Sequence, residues 1–320
     1  MYSKIIGTGS YLPKKVLTNH DLEKLVDTTD AWIIERTGIH SRHVAAPEDN
    51  AATMGAAAAR EAMAIANCAP ESIDLIITAT ATPNYFFPST ACEIQALLGA
   101  TCPAFDLQAA CSGFIYGLSV ADQFIKSGQA DTVLVIGSEV MSRLVNWADR
   151  STCVLFGDGA GACILQKSKE PGILSTAINA DGREANLLCI ENPQVKYHGE
   201  KQAEVCTVDM AGRKVFKIAV SKLEETVLHT LEKHKISASE LDWLVPHQAN
   251  ARIIETTREK LKMPPEKVIM TLETHGNTSS ASIPLALDTA IRDGRIKKNH
   301  LVLLEAFGAG LTWGSALIRI

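Results

Sequence analysis

The chain repeats itself at about half its length, and this constrains the fold more than any other feature. Ile125-Lys126-Ser127-Gly128 returns as Ile291-Arg292-Asp293-Gly294, and each copy runs on into an apolar strand, at 132–136 and 301–304. Ser72-Ile73-Asp74-Leu75-Ile76-Ile77 returns in the same way as Glu240-Leu241-Asp242-Trp243-Leu244-Val245. The offset from Gly128 to Gly294 nearly equals that from Asp74 to Asp242, which predicts duplicated α/β halves, placed at 1–170 and 171–320. With 320 residues, 46% of them hydrophobic and 21% charged, the chain has the length and composition to bury a large core in that way.

The repeat has a chemical consequence. An apolar run at 103–107 enters the small residues Gln108-Ala109-Ala110-Cys111-Ser112-Gly113, and a helical pattern then carries Ile115, Leu118, Ala121, Phe124 and Ile125 as far as Gly128. Cys111 therefore sits at a strand-to-helix turn, where unpaired backbone N–H groups and the helix dipole favour a thiolate; this predicts a lowered thiol pKa and a usable nucleophile. A cysteine elsewhere is usually just a small packing residue, so its company must decide. Stepping back from Asn277 by the offset that separates Gly294 from Gly128 lands on Cys111, which places Asn277 in the second-half turn that Cys111 occupies in the first. A third turn follows the run Trp243-Leu244-Val245-Pro246 and delivers His247 to the same edge, where open α/β sheets keep their sites. Singly, His247 reads as a structural histidine and Asn277 as a helix cap. Their joint placement with Cys111 at related strand ends points to an active site. His275, just before Gly276, is the rival imidazole.

Other features exclude alternatives. Gly7 and Gly9 imitate a dinucleotide fingerprint, but Pro13 blocks the helix it requires, and the glycines of 156–162 lack the Lys-Ser/Thr of a phosphate loop, so close backbone approach explains them better. The eight cysteines show no C-x-x-C spacing, so neither a disulfide framework nor a zinc site is indicated. A net charge of −5 argues against nucleic acid, no apolar run is long enough for a bilayer, and residues 1–7 read as a strand instead of a signal peptide, which places the protein in the cytoplasm. Thr18 and Asp21 predict a capped helix through Leu25, an alanine-rich helix covers 51–66, a doubly buried strand covers 73–80, and 137–150 reads as a polar connection.

Together, Ala109-Ala110-Cys111-Ser112-Gly113-Phe114, Trp243 to Asn250, His275 to Ser280 and the ending Glu305-Ala306-Phe307-Gly308-Ala309-Gly310-Leu311-Thr312-Trp313-Gly314 resemble β-ketoacyl-acyl carrier protein synthase III over essentially the whole chain. The resemblance implies a thiolase fold, two halves packed as five αβαβα layers. It also implies an acyltransferase that starts fatty acid synthesis without a separate cofactor, coenzyme A thioester being its substrate. A short acyl-CoA, acetyl-CoA above all, acylates Cys111; malonyl-acyl carrier protein then condenses by decarboxylation, with His247 and Asn277 holding the thioester oxygen. The backbone N–H groups of Cys111 and Ala309 form the oxyanion site, Ala309 standing where the family usually has glycine. Trp32 and Arg36 are implied around the adenine, and Arg150, Gly212, Phe216, Asn250 and Arg252 along the nucleotide and pantetheine. Arg252, Lys217 and Lys260 are implied to meet the carrier protein, although Glu255 and Glu259 interrupt that face. Phe87 resembles the residue a partner subunit inserts beside the acyl pocket, which implies a homodimer. A related condensing enzyme that takes a different acyl starter for a secondary metabolite is the alternative.

Overall fold

The computed structural model describes residues 1–192 and 206–320. The first half runs β1 (Tyr2–Tyr11), β2 (Lys15–Thr18), α1 (Asn19–Leu22), α2 (Asp30–Thr37), β3 (Ser41–Val44), α3 (Ala51–Ala66), β4 (Leu75–Ala79), α4 (Thr90–Leu98), β5 (Ala104–Leu107), α5 (Gly113–Lys126), β6 (Thr132–Val140) and β7 (Asp158–Ser168). The second runs β8 (Ile173–Ala180), β9 (Leu188–Cys189), β10 (Asp209–Met210), α6 (Gly212–His234), β11 (Trp243–Pro246), α7 (Ala251–Lys260), α8 (Leu272–His275), α9 (Ser282–Arg292), β12 (Leu301–Gly308) and β13 (Thr312–Arg319).

Two mixed sheets form the frame, one ordered β1-β7-β6-β4-β5 and the other β11-β12-β13-β8. The parallel pairs are β4 with β5 and β6, and β11 with β12; such strands need cover on both faces. Between the sheets lie α5 and α9. Ile115, Leu118 and Ile125 of α5 join Ile283, Leu287 and Ala290 of α9 against Ile77 and Val135 on one side and Val302 and Leu304 on the other. Burying each large side chain there contributes roughly 2 kcal/mol. Outside the first sheet α3 and α4 pack on Ile76, Leu134 and Ile164; outside the second α6 and α7 pack on Leu244, Leu303 and Leu317. The result is five layers, αβαβα.

The duplication is visible in the central helices. Asp122 of α5 pairs with Lys126 at 2.7 Å and accepts from Ser3 at 2.7 Å. At the equivalent place in the second half, Asp288 of α9 pairs with Arg292 at 2.8 Å and accepts from Thr8 and Ser10 at 2.8 and 2.6 Å. Both buried carboxylates thus tie a central helix to β1, and each takes its positive partner one helical turn on.

Two sequence expectations need adjustment and a third holds. The Thr18 and Asp21 capping box forms, but α1 stops at Leu22, where Lys24 and Leu25 make tighter three-residue turns. β6 continues past Ile136 to Val140, so 137–150 begins as buried strand; β7 pairs along it to Val140, and the polar Ser138 is satisfied by donating to Ala51 O at 2.7 Å. The glycines of 156–162 do serve close approach: a β-carbon on Gly157 would stand 2.3 Å from His275 O, and one on Gly161 2.7 Å from Pro284 Cβ in α9. Among the described residues, no helix is long and apolar enough to cross a membrane.

Candidate active site

β5 ends at Leu107, and the single 3₁₀ turn Ala110–Ser112 carries Cys111 into α5, the strand-to-helix position the sequence predicts. The matching turn in the second half is Ser279–Ala281, which leads into α9. The first residue of each turn holds a left-handed backbone, φ 45° at Ala110 and 50° at Ser279. These turns lie slightly further apart in the chain than the ends of the helices they start, because α5 has 14 residues and α9 only 11. The counterpart of Cys111 is therefore Ser280, and Asn277 lies upstream of that position. The turn was legible from the repeat; the position within it is corrected by the shorter helix.

One segment, Asn277 to Ser282, connects all three candidates. The Ser279–Ala281 turn packs against the Ala110–Ser112 turn that holds Cys111, the Ser279 N–H donates to Asn277 Oδ1 at 2.9 Å, and the Ser282 hydroxyl stands 2.6 Å from His247 Nδ1. His247 follows β11 directly, its backbone N–H donating to Glu305 O at 2.8 Å. Asn277 is held on its backbone by Leu155 O at 2.9 Å and Gly157 N–H at 3.0 Å. The rival His275 packs instead edge-on to His43, ring centroids 6.2 Å apart, and burial drops its pKa to about 4.

Cys111, His247 and Asn277 are 9%, 5% and 6% exposed, so water does little to stabilise charge on any of them. Burial pushes the Cys111 thiol up to about 12; the Ser279 hydroxyl pulls it down and the Glu139 charge pushes it further up. The lowered thiol pKa expected from the turn is thus corrected, because loss of water outweighs the helix end. Burial lowers His247 to about 3, which keeps the imidazole neutral. Backbone fit is tight on the second side: a β-carbon on Gly308 would lie 2.8 Å from Cys111 N and 3.1 Å from Cys111 Cβ. Next to it, Ala309 is not among the residues with left-handed backbone, so its methyl group is accommodated, and Ala309 O accepts from Thr312 Oγ1 at 3.0 Å.

Four of the nucleotide candidates form two cation–aromatic pairs. The Arg150 guanidinium lies 5.1 Å from the Trp32 ring centroid and the Arg252 guanidinium 5.6 Å from that of Phe216. Asn250 caps α7 by accepting from Arg252 N–H at 2.9 Å and donates to Arg36 O at 3.0 Å, so it links α2 to α7. Gly212 begins α6, one turn before Phe216. Of the basic residues, Lys217 is exposed whereas Lys260 is engaged with Glu224 and Arg258 with Glu255, so the mixed charges neutralise much of that face. Phe87 is 86% exposed, beside Phe86 at 72%.

Sequence reasoning did not single out Ser279, Ser282, Glu139 or Glu305. The cluster Ser279-Ser280-Ala281-Ser282 ahead of a helix was the available signal; it reads as capping, and only the fold shows which hydroxyl meets which side chain.

Residues 105–182 match the family described as 3-oxoacyl-[acyl-carrier-protein] synthase III, and residues 231–320 match its C-terminal part. A β-ketoacyl-[acyl-carrier-protein] synthase III of Pectobacterium atrosepticum is 56% identical over 100% of both chains. The crystal structure of 3-oxoacyl-[acyl-carrier-protein] synthase III from Aquifex aeolicus superposes with a TM-score of 0.94 at 51% identity, covering 99% of this chain and 100% of that one. The priming β-ketosynthase of the R1128 polyketide pathway superposes with a TM-score of 0.95 at 37% identity, covering 99% and 96%. With this likeness running through both halves, the chain belongs to the β-ketoacyl-acyl carrier protein synthase III family, condensing acyltransferases of the thiolase fold.

Proposed function

We propose that the protein primes fatty acid synthesis by condensing a short acyl group from acyl-CoA with malonyl-acyl carrier protein, Cys111 carrying the acyl group between the two steps. The observation that carries this reading is the Asn277 to Ser282 segment, whose Ser279–Ala281 turn packs on the turn that holds Cys111 and whose Ser282 hydroxyl reaches the His247 imidazole. In the first step the sulfur of Cys111 bonds to the acyl carbon, the bond to the coenzyme A sulfur breaks, and the thiol proton leaves on coenzyme A. In the second, malonyl loses carbon dioxide and its electron pair forms an enolate. The enolate carbon bonds to the acyl carbon, and the Cys111 sulfur leaves and regains a proton.

Both steps build charge on oxygen. A neutral His247 whose Nδ1 is held by Ser282 has Nε2–H to donate, and the Asn277 amide supplies the second donor for the enolate oxygen. Cys111 and Ala309 N–H groups serve the tetrahedral oxyanion. Trp32, Arg36 and Arg150 receive the adenine end of coenzyme A, with Gly212, Phe216, Asn250 and Arg252 along its length; adenine enters by replacing the Arg150 guanidinium on the Trp32 face. Arg252, Lys217 and Lys260 receive the acidic carrier protein, Lys260 after exchanging its Glu224 partner. The exposed Tyr85, Phe86 and Phe87 support a homodimer in which Phe87 enters the partner's acyl pocket. Eight cysteines scattered without disulfide spacing support a cytoplasmic location.

The starter is read as acetyl because identity is higher to the fatty acid enzymes than to the polyketide priming synthase, 51% and 56% against 37%. Mass analysis of the carrier protein after incubation with acetyl-CoA and malonyl-acyl carrier protein tests this. A 3-oxobutyryl carrier supports the reading. Product only with longer or branched acyl-CoA shifts it to a different starter.

A further inference from the structure

We propose that Arg42 is a positioning residue for the condensation step: its guanidinium fixes the segment 154–157 that holds Asn277, and so sets where the Asn277 amide stands. The inference rests on Asn277 serving that step. Arg42 lies on β3 and is fully buried. On one side of its fork Nη1 donates to Leu17 O at 3.2 Å and to Asn19 Oδ1 at 2.9 Å; on the other Nη2 donates to Val154 O at 2.8 Å. From Val154 the chain runs directly into the two groups that hold the backbone of Asn277. Leu155 O accepts from the Asn277 N–H at 2.9 Å, and the Gly157 N–H donates to Asn277 O at 3.0 Å. The stem of Arg42 lies at the same place: a β-carbon on Gly157 or on Gly276 would stand 3.1 Å from Arg42 Cβ, so these two glycines leave the side chain its room beside Asn277.

Stability alone is a poor reason for this side chain. Among the described residues no carboxylate pairs with Arg42 and its Nε has no partner, so a cation sits in the interior held by two backbone carbonyls and one side-chain amide. Burial lowers its pKa to about 10, which leaves it charged at neutral pH. Taking such a charge out of water is costly, and nothing of opposite sign offsets it here. What the guanidinium supplies is geometry. Its planar fork sets the direction of each bond, and the bond to Val154 spans 112 positions of the chain. The far side is anchored independently, because Asn19 Nδ2 donates to Asp30 Oδ1 at 2.9 Å and to Ile39 O at 2.7 Å, and the Asn19 N–H to His40 O at 3.2 Å. Loss of Arg42 therefore frees the segment that holds Asn277 and spares α2, which carries Trp32 and Arg36.

The test uses the full-length protein and follows the two half-reactions separately, acyl-enzyme formation from acetyl-CoA and single-turnover condensation with malonyl-acyl carrier protein. Arg42→Met, similar in length and uncharged, is expected to condense ~10-fold more slowly while acylation stays within about twofold of the parent. In an Asn277→Ala background the same change is expected to slow condensation no further, because the group being positioned is gone. Condensation by Arg42→Met within about twofold of the parent overturns the proposal, as does equal slowing of both half-reactions or a full second loss in the double variant. If Arg42→Met does not fold, Arg42→Gln, polar but too short to span both segments, carries the same test. An Asn277→Ala protein that condenses at the parent rate would remove the reading of Asn277 and this proposal with it. A slow Asn277→Ala beside a parent-like Arg42→Met would remove the proposal alone.

Discussion

The Ser282 hydroxyl stands 2.6 Å from His247 Nδ1 and 3.4 Å from the Gln248 backbone N–H. The N–H can only donate, so the hydroxyl accepts from Gln248 and its own proton is free for Nδ1, an arrangement that puts the imidazole proton on Nε2. A buried, neutral ring in this tautomer is a hydrogen-bond donor ready for a thioester oxygen. Ser282→Ala is expected to slow condensation by ~10-fold while acylation of Cys111 proceeds at the parent rate, measured by following the two half-reactions separately. Equal slowing of both would remove Ser282 from this role.

Asn277 is assigned to the second half-reaction. Removing one donor to a developing oxyanion typically costs about 10²–10³ in rate. Asn277→Ala should accept acyl groups from acyl-CoA and then condense slower by that factor in single-turnover measurements. Loss of both steps together would contradict the assignment.

The Cys111 thiol, raised to about 12 by burial, carries a pH signature. Below that value the thiolate fraction grows about tenfold per pH unit. Alkylation at the Cys111 peptide should therefore keep rising through the mildly alkaline range without levelling off at the value of an ordinary thiol. A plateau near neutrality would reinstate a standing thiolate at the helix end.

Glu305 is fully buried, and neither of its carboxyl oxygens has a hydrogen-bond partner among the described residues; burial raises it from 4.5 to about 8. Between those values the native state keeps a proton that the unfolded chain has released, so stability present below the unfolded value is lost as pH rises towards about 8. Glu305→Gln, which cannot ionise, should lose less thermal stability than the parent across that interval. Parallel melting temperatures at every pH would show that Glu305 is already charged in the native state.

Gly308 is required by the fit of β12 against the Cys111 turn. A β-carbon there would lie 2.8 Å from Cys111 N, and the contact is to backbone, which yields least. Gly308→Ala should slow acylation by ~10²-fold, read as the rate of acyl-enzyme formation, because the turn that presents both the sulfur and its N–H must move. An unchanged acylation rate would show that the turn tolerates displacement.

Much of this arrangement was legible in the residues because hydrophobic period and turn chemistry are local. The alanine-rich stretch forms α3 over the expected 51–66, and Cys111 lies on the expected turn. The repeat also located the partner turn, but its register came from the ends of α5 and α9, whose lengths differ, and so it matched Cys111 to Asn277 instead of Ser280. The state of the thiol was misread because the helix end is visible in the sequence while the burial of Cys111 against Gly308 is not. Glu139 looked like part of a polar connection; its donors come from segments far away in the chain, Thr80 to Thr82 on one side and Ser279 and Ser280 on the other, a distance over which no local pattern reports.

The central claim is that Cys111 carries the acyl group. Intact mass after mixing with acetyl-CoA, for the parent and for Cys111→Ala, followed by malonyl-acyl carrier protein, tests it most directly. An acetyl adduct on the parent alone, which disappears as a 3-oxoacyl carrier forms, is the expected result. An adduct that persists in Cys111→Ala, or one that malonyl-acyl carrier protein does not discharge, would contradict it.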